Sequence, residues 1–417
     1  MAQVTTGANS GEGIRIFPTK TDVIKAFVII IIAFVFGGFQ AAIFGMLTVP
    51  VSGHFGISAS MIVFYDSFGM WGQILAMAFG GLVISKIKGK NTLLLAGIIM
   101  IIASLCAIIS PNIYIYTSMT FLANIATGFI LVSCYYMVMG TVGKGDCSET
   151  RLSIAGAFFS IGYMLSPLAI GFIVANLGWR YVFITITSLF VIFIIALLLL
   201  NVQELVDKHT AAKQKAKSED KAAKKKFITG PLIITAIVFF MLLYTEQIIY
   251  YFSQPYLMLN LKFAIEISGT ALFTFGLTQL IGRFVIGKYI LPKMKPFKYI
   301  IIAVVIYAIL MIIFLNLSTI VAVMIIMACL GLVDSCLYPT ILGYGLDQIG
   351  NASPRATSFM ITIGSLGIPL GTMGCGLIGE NVSRPAAIMV APVILIIMGI
   401  LIYIVHVINK NKKSIEA

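Results

Sequence analysis

Twelve apolar runs, each long enough to cross a bilayer, fill nearly the whole chain at 23–49, 61–84, 91–109, 113–142, 152–177, 181–202, 230–258, 265–286, 299–315, 319–345, 356–378 and 386–407. A helix needs about 20 such residues to span the hydrocarbon core, and in lipid it satisfies its own backbone. The pattern predicts an all-α membrane protein of twelve transmembrane helices, with little left for a soluble domain. Polar residues are unevenly shared among the runs. Spans 3, 6, 9 and 12 are nearly pure Ile, Leu, Val, Ala and Met and are expected to face lipid. Spans 1, 4, 7 and 10 carry polar and aromatic groups near their middles: Gln40; Ser133, Tyr135 and Tyr136; Glu246 and Gln247; Asp334, Ser335 and Tyr338. Every third helix should therefore line something wet.

The chain also matches itself at an offset of 202 residues. Gly80, Val83, Ile84 and Lys86 fall on Gly282, Val285, Ile286 and Lys288; Ser133, Cys134 and Tyr136 fall on Ser335, Cys336 and Tyr338; Ile161, Gly162 and Pro167 fall on Ile363, Gly364 and Pro369. One offset shared by three separate regions reads as a parallel six-plus-six repeat. The expected organisation is a tail at 1–22, a six-helix bundle at 23–202, a charged linker at 203–229, a second pseudo-symmetric bundle at 230–407 and a tail at 408–417. The linker is rich in Lys and Ala, with no apolar face wide enough to build a core.

The distribution of charge orients the chain in the membrane. A net charge of +13 would suit nucleic acid, but 24 of the 28 Lys and Arg residues fall on one side of the membrane when both termini are placed there. Arg180, Lys262 and Arg384 fall on the other side, and Arg283 lies within span 8. By the positive-inside rule both termini are expected in the cytoplasm, with the protein multi-pass in the cell membrane. The first eighteen residues are polar and end at Pro18, so no cleavable signal of the usual form is expected ahead of the first span. Cys106, Cys134, Cys329, Cys336 and Cys375 lie in spans and Cys147 in a loop, without CxxC spacing, so neither disulfides nor a metal site is expected. His54, His209 and His406 fall outside the midplane, and no Walker loop, HExxH run or Ser/His/Asp set is present. Enzymatic chemistry and cofactors are not expected.

With these residues in place the chain resembles the major facilitator superfamily, over essentially its whole length. GWRYVF at 178–183 is similar to a signature common there, and GGLVISKIKGK at 80–90 resembles the family's loop 2/3 motif, with Ser85 where its acid usually stands. GYMLSPLAIG at 162–171 is an imperfect copy of the fifth-helix glycine/proline motif. GRFVIGKYILPKMKPFKYI at 282–300 is similar to the GRF-x-G segment of the fucose/galactose/glucose permeases and their TsgA-type relatives. The resemblance implies helices 1, 4, 7 and 10 around a central cavity, helices 3, 6, 9 and 12 outside, and transport by alternating access. Fucose-type permeases use acids on helices 1 and 4. Here helix 1 offers Gln40 and Phe44 and helix 4 no acid, so sugar specificity does not carry over.

An ionisable group near the middle of a membrane costs about 2.5–3.5 kcal/mol on insertion scales, so each one calls for a reason. Glu246, Asp334 and Asp66 are the candidate proton-coupling residues. Glu246 shares one helical face with Tyr244, Gln247, Tyr250, Tyr251, Ser253 and Gln254, and could gain and lose a proton as the cavity opens to each side. The competing reading is a hydrogen bond to a tyrosine or a cap before Pro255. Asp334 precedes Tyr338 and Pro339, where a kink is expected, and a structural tie is an equal alternative. For Asp66, lining the outer vestibule is set against merely reaching water, with the second slightly favoured. Arg283, at the inner end of span 8, is read as snorkelling to the headgroups and anchoring the following loop. The substrate-binding candidates are Gln40, Tyr136, Tyr244, Gln247, Tyr250, Tyr251, Gln254 and Tyr338. Gly80, Lys86, Gly162, Pro167, Gly282, Arg283 and Pro369 are the gating and scaffold candidates.

The resulting expectation is a proton-coupled transporter of a small polar, sugar-like solute. The alternative is a proton-antiporting exporter of amphipathic compounds or drugs; a non-transporting membrane sensor is a third, weaker reading. The expected partners are a small-molecule substrate, protons and the lipid bilayer, with no nucleic acid, and the chain is expected to act as a monomer.

Overall fold

The first span begins where Thr19 accepts a hydrogen bond from the Asp22 amide, satisfying an amide that the first turn of a helix leaves free. Ser58 and Thr229 do the same for the helices that follow them. The structure, a computed structural model, describes residues 17, 19–140, 148–202, 229–348 and 354–416. The expected linker, apart from Thr229, and most of the amino-terminal tail lie outside the described residues.

Fourteen α-helices are described. In the first half these are α1 (Lys20–Ala41), α2 (Ile43–Phe55), α3 (Ala59–Ile108), α4 (Ile113–Gly140), α5 (Ser148–Asn176) and α6 (Arg180–Leu200). In the second they are α7 (Gly230–Pro255), α8 (Ile265–Tyr289), α9 (Pro296–Leu315), α10 (Ile320–Asp334), α11 (Leu337–Asp347), α12 (Pro354–Ser365), α13 (Gly367–Asn381) and α14 (Arg384–Glu416). Among the described residues, eleven continuous stretches are long and apolar enough to cross a membrane. One of them is α3, whose 50 residues would reach about 75 Å at 1.5 Å per residue, over twice the hydrocarbon thickness. It is broken at Lys88, which has φ 72° and ψ 165°. α3 is therefore two crossings joined by a basic turn, and the chain crosses twelve times. The last helix runs on to Glu416, so residues 408–416 of the expected tail continue span 12 in helical form.

The fold is that of two six-helix bundles. Large apolar side chains are exposed along the second half of α3, along α6, α9 and α14, as with Ile102, Leu199, Ile309 and Ile396. These are spans 3, 6, 9 and 12, and their apolar faces suit contact with lipid. Buried polar groups gather instead on spans 1, 4, 7 and 10, among them Gln40, Thr127, Gln254 and Asp334.

Among the described residues, four spans depart from a regular helix. Span 1 breaks at Ala42, between α1 and α2, and span 7 ends in a π-turn at Tyr256–Asn260 after Pro255. Span 10 breaks at Ser335 and Cys336, the residues just ahead of the turn containing Pro339, whose ring collides with the carbonyl four residues back. Span 11 breaks at Leu366, ahead of Pro369. Pro167, the repeat partner of Pro369, stays inside an unbroken α5, so the expected pair of hinges is realised in only one bundle.

The repeat is also visible in close packing. A Cβ on Gly80 would press on Val132 of α4, and one on Gly282 would collide with Ser335 of span 10. The same residue thus seats span 2 on span 4 and span 8 on span 10. The tightest crossing lies within the first bundle, where a Cβ on Gly162 would run into the Val35 carbonyl and one on Gly38 into the Phe159 carbonyl.

Between the bundles the packing is carried by α3 with α13, α5 with α8, and α2 with α7. Both α2 and α13 are the halves of their spans remote from Lys88, Lys90 and Lys293. The bundles are therefore closed at the end away from these lysines. There Gln254 donates to the Met46 carbonyl at 3.3 Å, and Ser58 donates to the Glu380 carboxylate.

Replacing Gly162 by Ala should lower stability by about 1–3 kcal/mol through overpacking. Gly81→Ala, where a Cβ meets nothing within 4 Å, should leave it equal or raise it by up to about 1 kcal/mol. Thermal unfolding of the two variants in one detergent checks the contrast.

Candidate functional site

Three charged side chains converge where the bundles face each other. Glu246 stands about halfway along span 7, and Asp334 about halfway along span 10, at the last residue of α10 before the break. Arg283 lies on α8 one turn beyond Gln279. Gln279 Nε2 donates to Asp334 Oδ2 at 2.6 Å and fixes that carboxyl against α8. Asp334 is 1% exposed and its Oδ1 has no partner. Glu246 remains partly exposed. It is close enough to Asp334 and Arg283 to interact electrostatically with both.

Arg283 does not turn to the headgroups as expected. Its guanidinium donates to Ser160 Oγ of α5 at 3.2 Å, across the interface, and its charge acts on Glu246, Asp334, Tyr250, Tyr338 and Tyr135. The reason is proximity to two acids, which offers a cation more than a headgroup some distance along the helix. It forms no hydrogen bond with either carboxylate, so the three charges stand apart at a site both bundles line.

Aromatic rings surround them. Tyr163 of α5 meets Tyr250 of α7 edge to face, centroids 4.8 Å apart, and Tyr250 meets Phe275 of α8 at 5.4 Å. Tyr338 packs on Phe239 at 4.7 Å, and Tyr135 on Phe34 at 5.1 Å. Tyr135 and Arg283 are exposed although they face the other bundle, which leaves the interface open toward the lysine-rich end.

The expected face of span 7 is split. Glu246 and Tyr250 join the cluster. Tyr251 and Gln254 belong to the closed end, and Tyr244 lies against Gly371 and Gly374 of α13. Gln247 is buried on the same helix. Gln40 is inside the first bundle, where its Oε1 accepts from Thr127 at 2.5 Å. Tyr136 is partly buried beside Tyr135, and Lys86 is exposed at the basic turn. Asp66 does not reach water: it is 2% exposed, with neither oxygen hydrogen-bonded. Ser160, Tyr163 and Gln279 were not singled out from the sequence. The i, i+4 spacing of Gln279 and Arg283 was the one available signal, because it sets both on one face of span 8.

Arg283→Gln leaves two acids without their cation and should cost about 1–3 kcal/mol, less than for a fully buried pair because the guanidinium keeps some exposure. Adding Asp334→Asn should recover at least half of the loss, and thermal unfolding of the single and double variants measures that coupling.

A family model described as Major Facilitator Superfamily matches residues 29–372. Protein TsgA of Shigella flexneri is 20% identical over 396 residues, covering 95% of this chain and 98% of that protein. The TsgA protein of Escherichia coli O157:H7 matches to the same extent. Among solved structures, a D-xylose-proton symporter superposes with TM-score 0.72 at 14% identity, over 91% of this chain and 96% of its own. The nucleoside transporter NupG gives 0.71 at 16%, over 91% and 99%. The inward open form of the xylose transporter XylE from E. coli gives 0.70 at 13%, over 91% and 95%. At such identities the structural likeness establishes the fold alone. With a family match across most of its length, this chain belongs to the Major Facilitator Superfamily and is a multi-pass membrane transporter of small molecules, not an enzyme.

Proposed function

We propose that the protein is a proton-coupled secondary transporter of a small polar solute, working by alternating access in the cell inner membrane with both termini in the cytoplasm. The observation that carries this reading is the charge balance at the interface. Two carboxylates, Glu246 and Asp334, face one guanidinium, Arg283, with no direct hydrogen bond between them. If all three are ionised, one negative charge is left in a largely desolvated place, where an unpaired charge is strongly unfavourable. A proton on Glu246 removes it. Glu246 is the better exchanger because it keeps some exposure, whereas Asp334 is held by Gln279.

The solute is then read by the groups around the acids. Arg283 and Ser160 supply donors, Glu246 and Asp334 acceptors, and Tyr163, Tyr250 and Tyr338 supply flat faces with hydroxyls. A polyhydroxylated molecule uses both kinds of contact. The D-xylose-proton symporter of the same fold is in keeping with such a pairing. Because the bundles share the site, its exposure switches ends when they rock about it. The concentration of lysines at the end carrying the termini supports the cytoplasmic orientation, with the closed end facing outward.

A second reading draws on the same rings. Phe34, Phe159, Phe239 and Phe275 make the surroundings of the cluster strongly aromatic, which would also suit a lipophilic cation balancing the spare negative charge and leaving in exchange for a proton.

Proteoliposomes loaded with a pH dye separate the two. Pentoses, hexoses and nucleosides are offered on one side, or a lipophilic cationic dye. Entry of a polar solute with protons, reduced about tenfold or more in Glu246→Gln, is the expected result; removing a positioned proton-transfer group typically costs at least this much. Glu246→Gln should keep solute exchange at equal concentrations, because the amide mimics the protonated acid. Dye movement against protons would favour export, and unchanged coupling in Glu246→Gln would remove that residue from the mechanism.

A further inference from the structure

The closed outer end contains an acid that nothing neutralises. Asp66 sits two turns into α3 from its Ser58 cap, buried, with both oxygens unpartnered. Two ionisable groups face it, Tyr116 of α4 and Tyr251 of α7, the second from the other bundle. Neither can be a cation. The other ionisable groups of the elements packed there are engaged elsewhere. Glu380 of α13 accepts from Ser58, His54 of α2 lies 3.2 Å from Arg180, Tyr114 of α4 pairs with Tyr65, and Cys375 of α13 is buried near Tyr244. Tyr116 Oη and Gln254 Oε1 are likewise buried without partners.

We propose that Asp66 is a proton-binding site separate from the Glu246, Asp334 and Arg283 cluster, loaded from the outer medium, whose occupancy closes the outer end of the transporter. Closing that end wraps the carboxyl in α4, α7 and α13 and strips it of water. An anion with no cation and no donor is the species such a place tolerates least, while the neutral acid loses far less. When α3 parts from α13 and α2 from α7, water reaches Asp66 and the group ionises as an ordinary carboxylate does at neutral pH. Outer closure therefore takes up one proton from outside, and outer opening returns it to the same side. By linkage, acid outside favours the closed outer end and alkaline conditions oppose it. The proton does not pass to the cytoplasm, because Asp66 is sealed when the inner end is open. The site biases the gate and carries no flux. It rests on the alternating-access reading but needs neither Glu246 nor any solute.

The test follows the gate itself. Spin labels at Leu177→Cys and Val382→Cys, exposed on the outer ends of the two bundles, report the width of that end by pulsed dipolar spectroscopy. The full-length chain is reconstituted in liposomes with its native cysteines replaced by alanine. Moving from mildly alkaline to acidic pH should shift the population toward the short distance. Asp66→Asn should hold the short distance at every pH, Asp66→Glu should keep the response, and a Glu246→Gln background should leave it intact, so failure of the central site would not be mistaken for failure of this one. Asp66→Asn should also unfold no more easily than the parent at neutral pH. An unchanged pH response in Asp66→Asn, or a chain that no longer folds with it, overturns the proposal. A distance that follows sodium at fixed pH, with the dependence lost in Asp66→Asn, replaces the proton by a metal cation and overturns it equally.

Discussion

One guanidinium shared between two carboxylates, in a site between the bundles that opens only toward the lysine-rich end, is the constraint on which the rest of the structure turns. Charge in such surroundings has few remedies: a partner, a donor, a proton or a charged ligand. Gln279 supplies the donor for Asp334, and Arg283 supplies the only cation directed at the pair among the described residues. Glu246 is left to be satisfied by something that can come and go. The same guanidinium also holds Ser160 in the other bundle, so the charge problem and the contact between bundles involve one side chain. On the proposed mechanism, neutralising Glu246 changes how tightly Arg283 is held, and with it how the bundles lie together.

Close packing and helix breaks are unevenly divided between the two bundles. Backbone contact between α1 and α5 at Gly38 and Gly162 makes the first bundle stiff where it meets the site, since interiors packed to this density transmit displacement. Among the described residues, spans 1, 10 and 11 are broken along their length and span 7 ends in a π-turn. Backbone groups freed by such breaks are tolerated because they lie within protein. Three of the four breaks accompany Pro255, Pro339 and Pro369, all in the second bundle. The first bundle retains Pro167 in a continuous helix, so the breaks that accompany proline fall in the second bundle. Within the first bundle Arg180 ties span 6 to the Ile108 carbonyl at 3.1 Å and contacts His54.

Much of this was legible in the chain itself. Spans longer than the bilayer is thick announce themselves by composition, and the offset of 202 residues reports a repeat whose glycines do equivalent packing at Gly80 and Gly282. The break within α3 was readable from KGK at 88–90, since three such residues cannot sit in hydrocarbon. Partners were not legible. A helical wheel tells which face a residue occupies, but not which helix lies opposite or how deep the closed end reaches. So Tyr251 and Gln254 looked equivalent to Tyr250, although they lie in the seal, and Asp66 looked close to water although it is buried. Arg283 was misread for the same reason. Its position near a helix end suggested the headgroups, whereas the acids and Ser160 that hold it come from three other spans.

The central claim, that the resting cluster holds one proton for its two acids, is open to infrared difference spectroscopy of the reconstituted protein at neutral pH. A protonated carboxyl absorbs apart from a carboxylate, and isotope shifts on exchange into deuterated water identify it. One such band is expected, abolished by Glu246→Gln, kept in Arg283→Gln, and distinct from any band removed by Asp66→Asn. If Glu246→Gln removes only carboxylate absorption and no protonated band, both acids are ionised at rest, and the charge argument for proton coupling fails.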